Sequence, residues 1–439
     1  MSEDCLYLNV YVPSKTPPPG GFPMMIFFYG GGFLMGANIA YMGMFPESVS
    51  EDTIIITFNY RVSVMGFLAG DPLKNDSSDG SVGNYGLQDM RQALQFMVQT
   101  ATAWGGNPER VTIYGESAGG ASVSHFLVNP KTWGLYQQAI IESGPFADWI
   151  AFNYSYEAAF YTQFATAAGC PITGSASLDC LRQLSWENIT DIDMFDFISL
   201  HKFGPVVDGV EVLDFPRVLA AAGKIAPGVK VIIGTNQDEG SMFAMLSGSQ
   251  NMTDTEYQQA LINQYGTELG NEVYTNFPSA NYGSPWNALV RVMGDNLMTC
   301  PSRDTAQWLT SSKRINGSQP VYEYLYVHNN LLLNTMMPFL GVCHASELLN
   351  TWYIEPLLLG PGEIELGKLW VKYWTNFAIY GDPNGQDFTP SSPYYWHPYS
   401  DNNTLVDNLV IIDTSANGPN ITNTQFVRKT ECDFWMNHE

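Results

Sequence analysis

The chain has 439 residues, of which 45% are hydrophobic and only 14% charged, a composition that fits a large buried core and excludes disorder. Its formal net charge of −24 sets it against nucleic acid, whose phosphates it would repel. No apolar run reaches the length of a bilayer-spanning helix, so no membrane span is expected.

In chain order, short β-rich apolar runs alternate with longer helical patterns. Met24–Tyr29 reads as a buried strand ending at three glycines, and Thr53–Phe58 as another. Residues Gly86 to Thr102 have helical spacing. Val111–Tyr114 is a short strand, followed by a glycine-rich turn and a helix from about Ala118. Ala139–Ile141, Val229–Ile233 and Val321–Tyr326 are further strands. The alternation predicts an α/β fold, with a mostly parallel central sheet and helices on both faces. Residues from about 245 to 300 read as a helical insertion near the site, so one catalytic domain is expected over 1–439.

The run Gly115-Glu116-Ser117-Ala118-Gly119-Gly120 contains Gly-x-Ser-x-Gly, a pattern that is common by itself. Here it follows a strand and opens a helix. That is the setting of a nucleophile elbow, a strained turn that exposes the serine hydroxyl. The plainer reading is a strand-to-helix turn with a solvated serine. A tetrahedral intermediate also needs backbone N–H groups aimed at its oxygen. Gly30-Gly31-Gly32-Phe33 follows a strand and offers Gly31 and Gly32, and Ala118 follows the nucleophile.

A serine nucleophile needs a base, and the base needs a carboxylate. Asp238 and Glu239, at the end of a strand, are both chemically able to serve. Downstream stand His328, expected in a strand, His344, His397 in a surface turn, and His438 at the terminus. The upstream histidines, His125 and His201, read as structural or surface groups. Glu116 beside the nucleophile could add negative potential there, or could be a buried structural acid.

The six cysteines form no short-spaced zinc pattern, and Cys170 and Cys180, ten apart, could close a small loop. Seven Asn-x-Ser/Thr sequons begin at Asn75, Asn153, Asn188, Asn251, Asn316, Asn402 and Asn420. Sequons with possible disulfides favour a secreted or extracytoplasmic protein.

These residues resemble the type-B carboxylesterase/lipase family, which includes cholinesterases, carboxylesterases and fungal lipases. Glu3-Asp4-Cys5-Leu6-Tyr7-Leu8-Asn9-Val10 is similar to one family signature and Gly115–Gly120 to the other. Asn59-Tyr60-Arg61-Val62, Pro205-Val206-Val207-Asp208-Gly209 and Asp238-Glu239-Gly240-Ser241 resemble further landmarks in order. The resemblance implies an α/β-hydrolase fold and ester hydrolysis without a cofactor. It selects Glu239 as the acid and His344 as the base, and it likens Ser143 to a serine supporting that acid. It likens Arg61 and Asp89 to a structural salt bridge.

It also implies the pairs Cys170–Cys180 and Cys300–Cys432, leaving Cys343 free and Cys5 without an evident partner. Family members normally carry a further segment before the Glu3–Val10 signature, so the chain is expected to be shortened there. Met242 stands where acetylcholinesterases have an aromatic residue to face a quaternary ammonium. Ser199 and His201 stand where they have paired phenylalanines, and Phe243 completes the expected pocket. The expected substrate is therefore a small-molecule or lipid carboxylic ester of broad acyl range, with choline esters as the alternative. A non-catalytic adhesion or binding protein, as neuroligin-like relatives are, is the competing function. Those proteins typically lose a triad residue, whereas Ser117, Glu239 and His344 are all present here.

Overall fold

Nine strands form one sheet in a computed structural model of the chain, which describes residues 2–41, 52–192, 203–311, 319–401, 404–405, 407–415 and 418–438. The strands are β1 (Leu8–Tyr11), β2 (Phe22–Phe28), β3 (Ile54–Phe58), β4 (Gly106–Glu116), β5 (Gln138–Glu142), β6 (Lys230–Asn236), β7 (Val321–Tyr326), β8 (Asn408–Ser415) and β9 (Gly418–Gln425). Their spatial order is β1-β3-β2-β4-β5-β6-β7-β8-β9. Pairing is parallel from β3 through β8 and antiparallel at both edges, β1 on β3 and β9 on β8.

Strands β2, β3 and β5 are buried along their whole length, as a parallel sheet covered on both faces requires. The edge strand β9 is different. Its sequence Gly-Pro-Asn-Ile-Thr-Asn-Thr-Gln is polar and largely solvent-facing, so it carries no apolar run to betray it.

Four helices matter for the site. Helix α1 (Tyr85–Thr100) buries Leu87, Met90, Leu94 and Met97, one stripe at helical spacing. Helix α2 (Ala118–Val128) is buried throughout, and its polar members Ser122, Ser124 and His125 each meet a backbone carbonyl. The short α3 (Gly240–Ala244) follows β6. Helix α4 (Glu363–Tyr380) stacks Trp370 on Trp374 with centroids 4.3 Å apart, both against Tyr324 of β7.

The span from Asp254 to Thr310 holds the helices Asp254–Tyr265, Thr267–Asn276, Pro285–Gly294 and Cys300–Thr310. The first opens on a capping box in which Thr253 and Glu256 satisfy each other's backbone. The last two join through a π-helical turn at Asp295–Thr299. These helices share a hydrophobic cluster of their own, with Trp286, Leu289 and Trp435. A Cβ on Gly240 would lie 2.0 Å from Val290 O, so the block sits directly on α3. Disulfides join Cys170 to Cys180 and Cys300 to Cys432, while Cys5 and Cys343 are free thiols.

The chain leaves β2 outward to β3 and returns to β4 on the other side. This makes a topological switch point between β2 and β4, where open α/β sheets form their binding crevice. The glycine loop after β2 and the Ser117 turn after β4 meet there.

Candidate active site

The turn at Ser117 departs from ordinary backbone. Ser117 has φ +58° and ψ −124°, a conformation that costs a non-glycine residue about 1–3 kcal/mol. Neighbours hold it. Its N–H donates to Glu142 O at 2.8 Å, and its carbonyl accepts from Ala121 N at 2.8 Å. Gly119 must be glycine, because a Cβ there would lie 1.9 Å from Phe28 O at the end of β2. The strand-turn-helix seen from sequence is present: β4 ends at Glu116 and α2 begins at Ala118.

The glycine loop lies against this turn. A Cβ on Gly30 would meet Ser117 Cβ at 2.9 Å and Glu116 Oε2 at 2.7 Å. Gly31 has φ +113° and Gly32 φ +63°. Ala118, at the start of α2, is fully buried.

Glu239 and His344 come together across 105 residues. His344 Nδ1 lies 2.5 Å from Glu239 Oε2. The other carboxylate oxygen, Oε1, accepts from Ser143 Oγ at 2.5 Å and from Asn236 N at 2.7 Å. Asp238, the rival acid, turns away and accepts from Val342 N at 3.0 Å, beside Arg291. Glu239 and Ser143 are fully buried, and His344 is 8% exposed. The carboxylate at Nδ1 fixes how the buried imidazole is oriented and turns Nε2 away from the acid. That Nε2 makes no hydrogen bond among the described residues.

The other histidines lie elsewhere. His328 falls just beyond β7, not in a strand as expected, because the strand ends at Tyr326 and His328 turns to Glu363 Oε1 at 2.9 Å. His125 is buried in α2 and contacts Ile150 O at 2.8 Å, and burial lowers its pKa to about 4. His397 and His438 lie outside the cluster, at Asn423 and Phe434 respectively. Ser199 and His201 lie outside the described residues, as do Asn316 and Asn402. The remaining sequon asparagines, Asn75, Asn153, Asn188, Asn251 and Asn420, are all exposed.

Around His344 stand more carboxylates than sequence reasoning found. Glu116 Oε1 lies 3.1 Å from His344 Nε2, and its side chain is 5% exposed. Burial raises the Glu116 pKa, opposed by the pull of His344. Burial alone would lower the His344 pKa, but the charges of Glu116 and Glu239 override it and push it up. Glu347 receives the Asn236 side-chain amide, and burial lifts its pKa well above the usual range. Glu142 accepts from Thr351 Oγ1 at 2.8 Å, and burial pushes it up to about 8. Asn236 and Glu142 carried no motif of their own, while Glu347 sits in the run after His344 without a distinguishing spacing.

Phe243 stands 5.4 Å from the His344 ring, and Met242 beside it is 42% exposed. Arg61 and Asp89 form a bidentate ion pair at 2.7 and 2.8 Å. Among the described residues no group of three or more His, Cys, Asp or Glu side chains could hold a metal ion. No described helix is long and apolar enough to cross a membrane.

The parallel sheet, the elbow and the buried acid–histidine pair at the strand ends define an α/β hydrolase. The chain belongs to the carboxylesterase family, whose model it matches over residues 1–435, and it is a carboxylic-ester hydrolase. It is 32% identical to acetylcholinesterase of Danio rerio, over 92% of this chain and 70% of that protein. It is 33% identical to cholinesterase of Mus musculus, over 88% of this chain and 66% of that protein. It is 32% identical to pyrethroid hydrolase Ces2e of Rattus norvegicus, over 88% and 68% respectively.

Proposed function

We propose that the chain hydrolyses carboxylic esters of broad acyl range through an acyl-enzyme on Ser117. The observation carrying this reading is the buried pair of Glu239 and His344, 2.5 Å apart, which reaches the strained Ser117 turn through Glu116, 3.1 Å from His344 Nε2. Ser117 Oγ attacks the ester carbonyl as His344 Nε2 takes its proton. The N–H groups of Gly31, Gly32 and Ala118 receive the oxyanion. His344 then gives the proton to the leaving alkoxide. Water, activated by the same nitrogen, releases the acid. Glu239 holds the tautomer and stabilises the imidazolium, and Ser143 and Asn236 hold Glu239.

An aliphatic Met242 offers no aromatic face to a quaternary ammonium, which favours general esters over choline esters. Two disulfides and five exposed sequons favour secretion. The chain acts as one catalytic domain, with the helical block of 254–310 set against α3 through Val290.

A fluorophosphonate probe is expected to label the protein at one equivalent, with the adduct mapped by mass spectrometry to the peptide holding Ser117. An adduct elsewhere, or none on folded protein, would remove the proposal in favour of a binding role. Turnover across p-nitrophenyl esters from acetyl to decanoyl is expected to vary gradually. A sharp optimum at acetyl with preference for choline esters would reverse the substrate assignment.

Glu116 sets a pH expectation. His344 must be neutral to accept the serine proton, so the acid limb of kcat/KM reports its pKa. Negative charge on Glu116 raises that pKa. Glu116→Gln removes the charge, so the limb is expected to move to lower pH by about 1–3 units. An unmoved limb would mean Glu116 is uncharged in the working enzyme.

A further inference from the structure

The glycine loop after β2 must keep its amides still, yet glycine is the residue least able to hold itself in place. Something outside the loop has to supply the rigidity. The strip that follows β3, Asn59 to Ser63, touches the loop at Phe33 and its two flanks at Tyr29 and Asn38. Asn59 Oδ1 accepts from Asn38 N at 2.9 Å. Ser63 N donates to Phe33 O at 2.6 Å. Between them Tyr60 Oη donates at 2.6 Å to Tyr29 O, the carbonyl of the peptide that leads into Gly30.

The Tyr60 contact is reciprocated. Tyr29 Oη donates to Tyr60 O at 3.0 Å, and the two rings stack with centroids 4.2 Å apart at 18°. Both residues are 2% exposed. The far side of the loop closes on the same pair, since a Cβ on Gly36 would lie 2.4 Å from the Tyr29 ring. The loop therefore closes at Gly36 on one phenol ring, and that ring is fixed by the other. Inside the loop, Gly31 O accepts from Leu34 N at 3.0 Å and Met35 N at 3.1 Å, which ties Gly31 to the same turn.

We propose that Tyr60 is a positioning residue for catalysis: its hydroxyl fixes the Tyr29–Gly30 peptide and so aims the loop amides that receive the oxyanion. The inference rests on the esterase reading above. It predicts a loss confined to the transition state, because the oxyanion forms only there and the ground-state ester does not depend on the loop amides. Small displacements of such donors are costly, since an error of about 1 Å can cost about 100-fold.

Tyr60→Phe removes one oxygen and keeps the stack. With p-nitrophenyl butyrate, kcat is expected to fall about 10- to 100-fold, with KM within about threefold of wild type. A trifluoromethyl ketone, whose tetrahedral adduct carries the same oxyanion, is expected to lose affinity by a similar factor. The acid limb of the pH profile is expected to stay in place, because His344 is untouched. A merely structural tyrosine would lower the melting temperature and leave the kinetics of the folded fraction unchanged. Should Tyr60→Phe not fold, Tyr29→Phe breaks the return bond of the same pair and is expected to give the same pattern. Folded Tyr60→Phe, or in its absence Tyr29→Phe, with kcat and ketone affinity within twofold of wild type overturns the inference alone. A wild-type protein without esterase turnover overturns the reading beneath it and the inference together.

Discussion

Ser117→Ala is expected to lower kcat by about a million-fold and to leave the circular dichroism spectrum and melting temperature close to wild type. The size follows from what the hydroxyl does. In the proposed mechanism it supplies the bond that splits one difficult displacement into two easier ones. The side chain contributes little to the fold. The turn is held by backbone bonds, Ser117 N to Glu142 O and Ala121 N to Ser117 O, which alanine keeps. Residual turnover of about a thousandfold over water is expected, from the oxyanion amides and binding alone. His344→Ala is expected to cost about as much, and the double variant no more than either, because the two groups act as a unit. Independent, additive losses in initial-rate assays would show that they do not share one proton transfer.

Glu239→Gln is expected to lower kcat by about ten-thousandfold. The replacement is nearly isosteric, so the loss is one of proton arrangement. Glu239 Oε1 accepts from Ser143 Oγ and Asn236 N, and Oε2 faces His344 Nδ1. Glutamine has one donor end. Pointed at His344, its amide forces the imidazole proton onto Nε2, the nitrogen that must be a base. Pointed the other way, it sets two N–H donors against each other in a fully buried site, at about 1–3 kcal/mol. Glu239→Asp keeps the charge but shortens the reach and is expected to retain more activity than glutamine. The order is checked by kcat/KM at the pH optimum of each variant. Equal activity of the glutamine variant and wild type would remove Glu239 from the mechanism.

Much of this site could be read from the chain because its parts are short and local. A strand, a glycine-flanked serine and a helix announce Ser117 within a few residues. The triple glycine after a buried strand does the same for the loop. The histidine was different. His328, His344, His397 and His438 stand in the correct order after the acid, and only likeness to a family separated them. Asn236, Glu142 and Tyr60 were not picked out as supports. Their importance lies in which backbone group they meet, and those partners are distant in sequence or set by strand register. The edge strands β1 and β9 escaped for another reason. Period-two burial is weak where one side of the ladder faces water, so an edge lacks the apolar run that marks β2 or β5.

The bonds that space the site run between main-chain atoms of adjoining strands. Ser117 N meets Glu142 O, and Ser143 N meets Gly234 O at 2.9 Å. In register, Glu116 lies opposite Glu142, and Glu142 opposite Gly234. Ser117, Ser143 and Glu239 are thus hung at intervals set by the width of a hydrogen-bonded ladder, not by the size of any side chain. Exchange of one apolar residue for another inside β4, β5 or β6 is therefore expected to alter stability while leaving the spacing of the reacting groups untouched. Mutational drift in this protein has a wide, safe field in the strand interiors. The field narrows to almost nothing at the two glycines flanking Ser117, where a single added carbon would strike backbone that cannot yield.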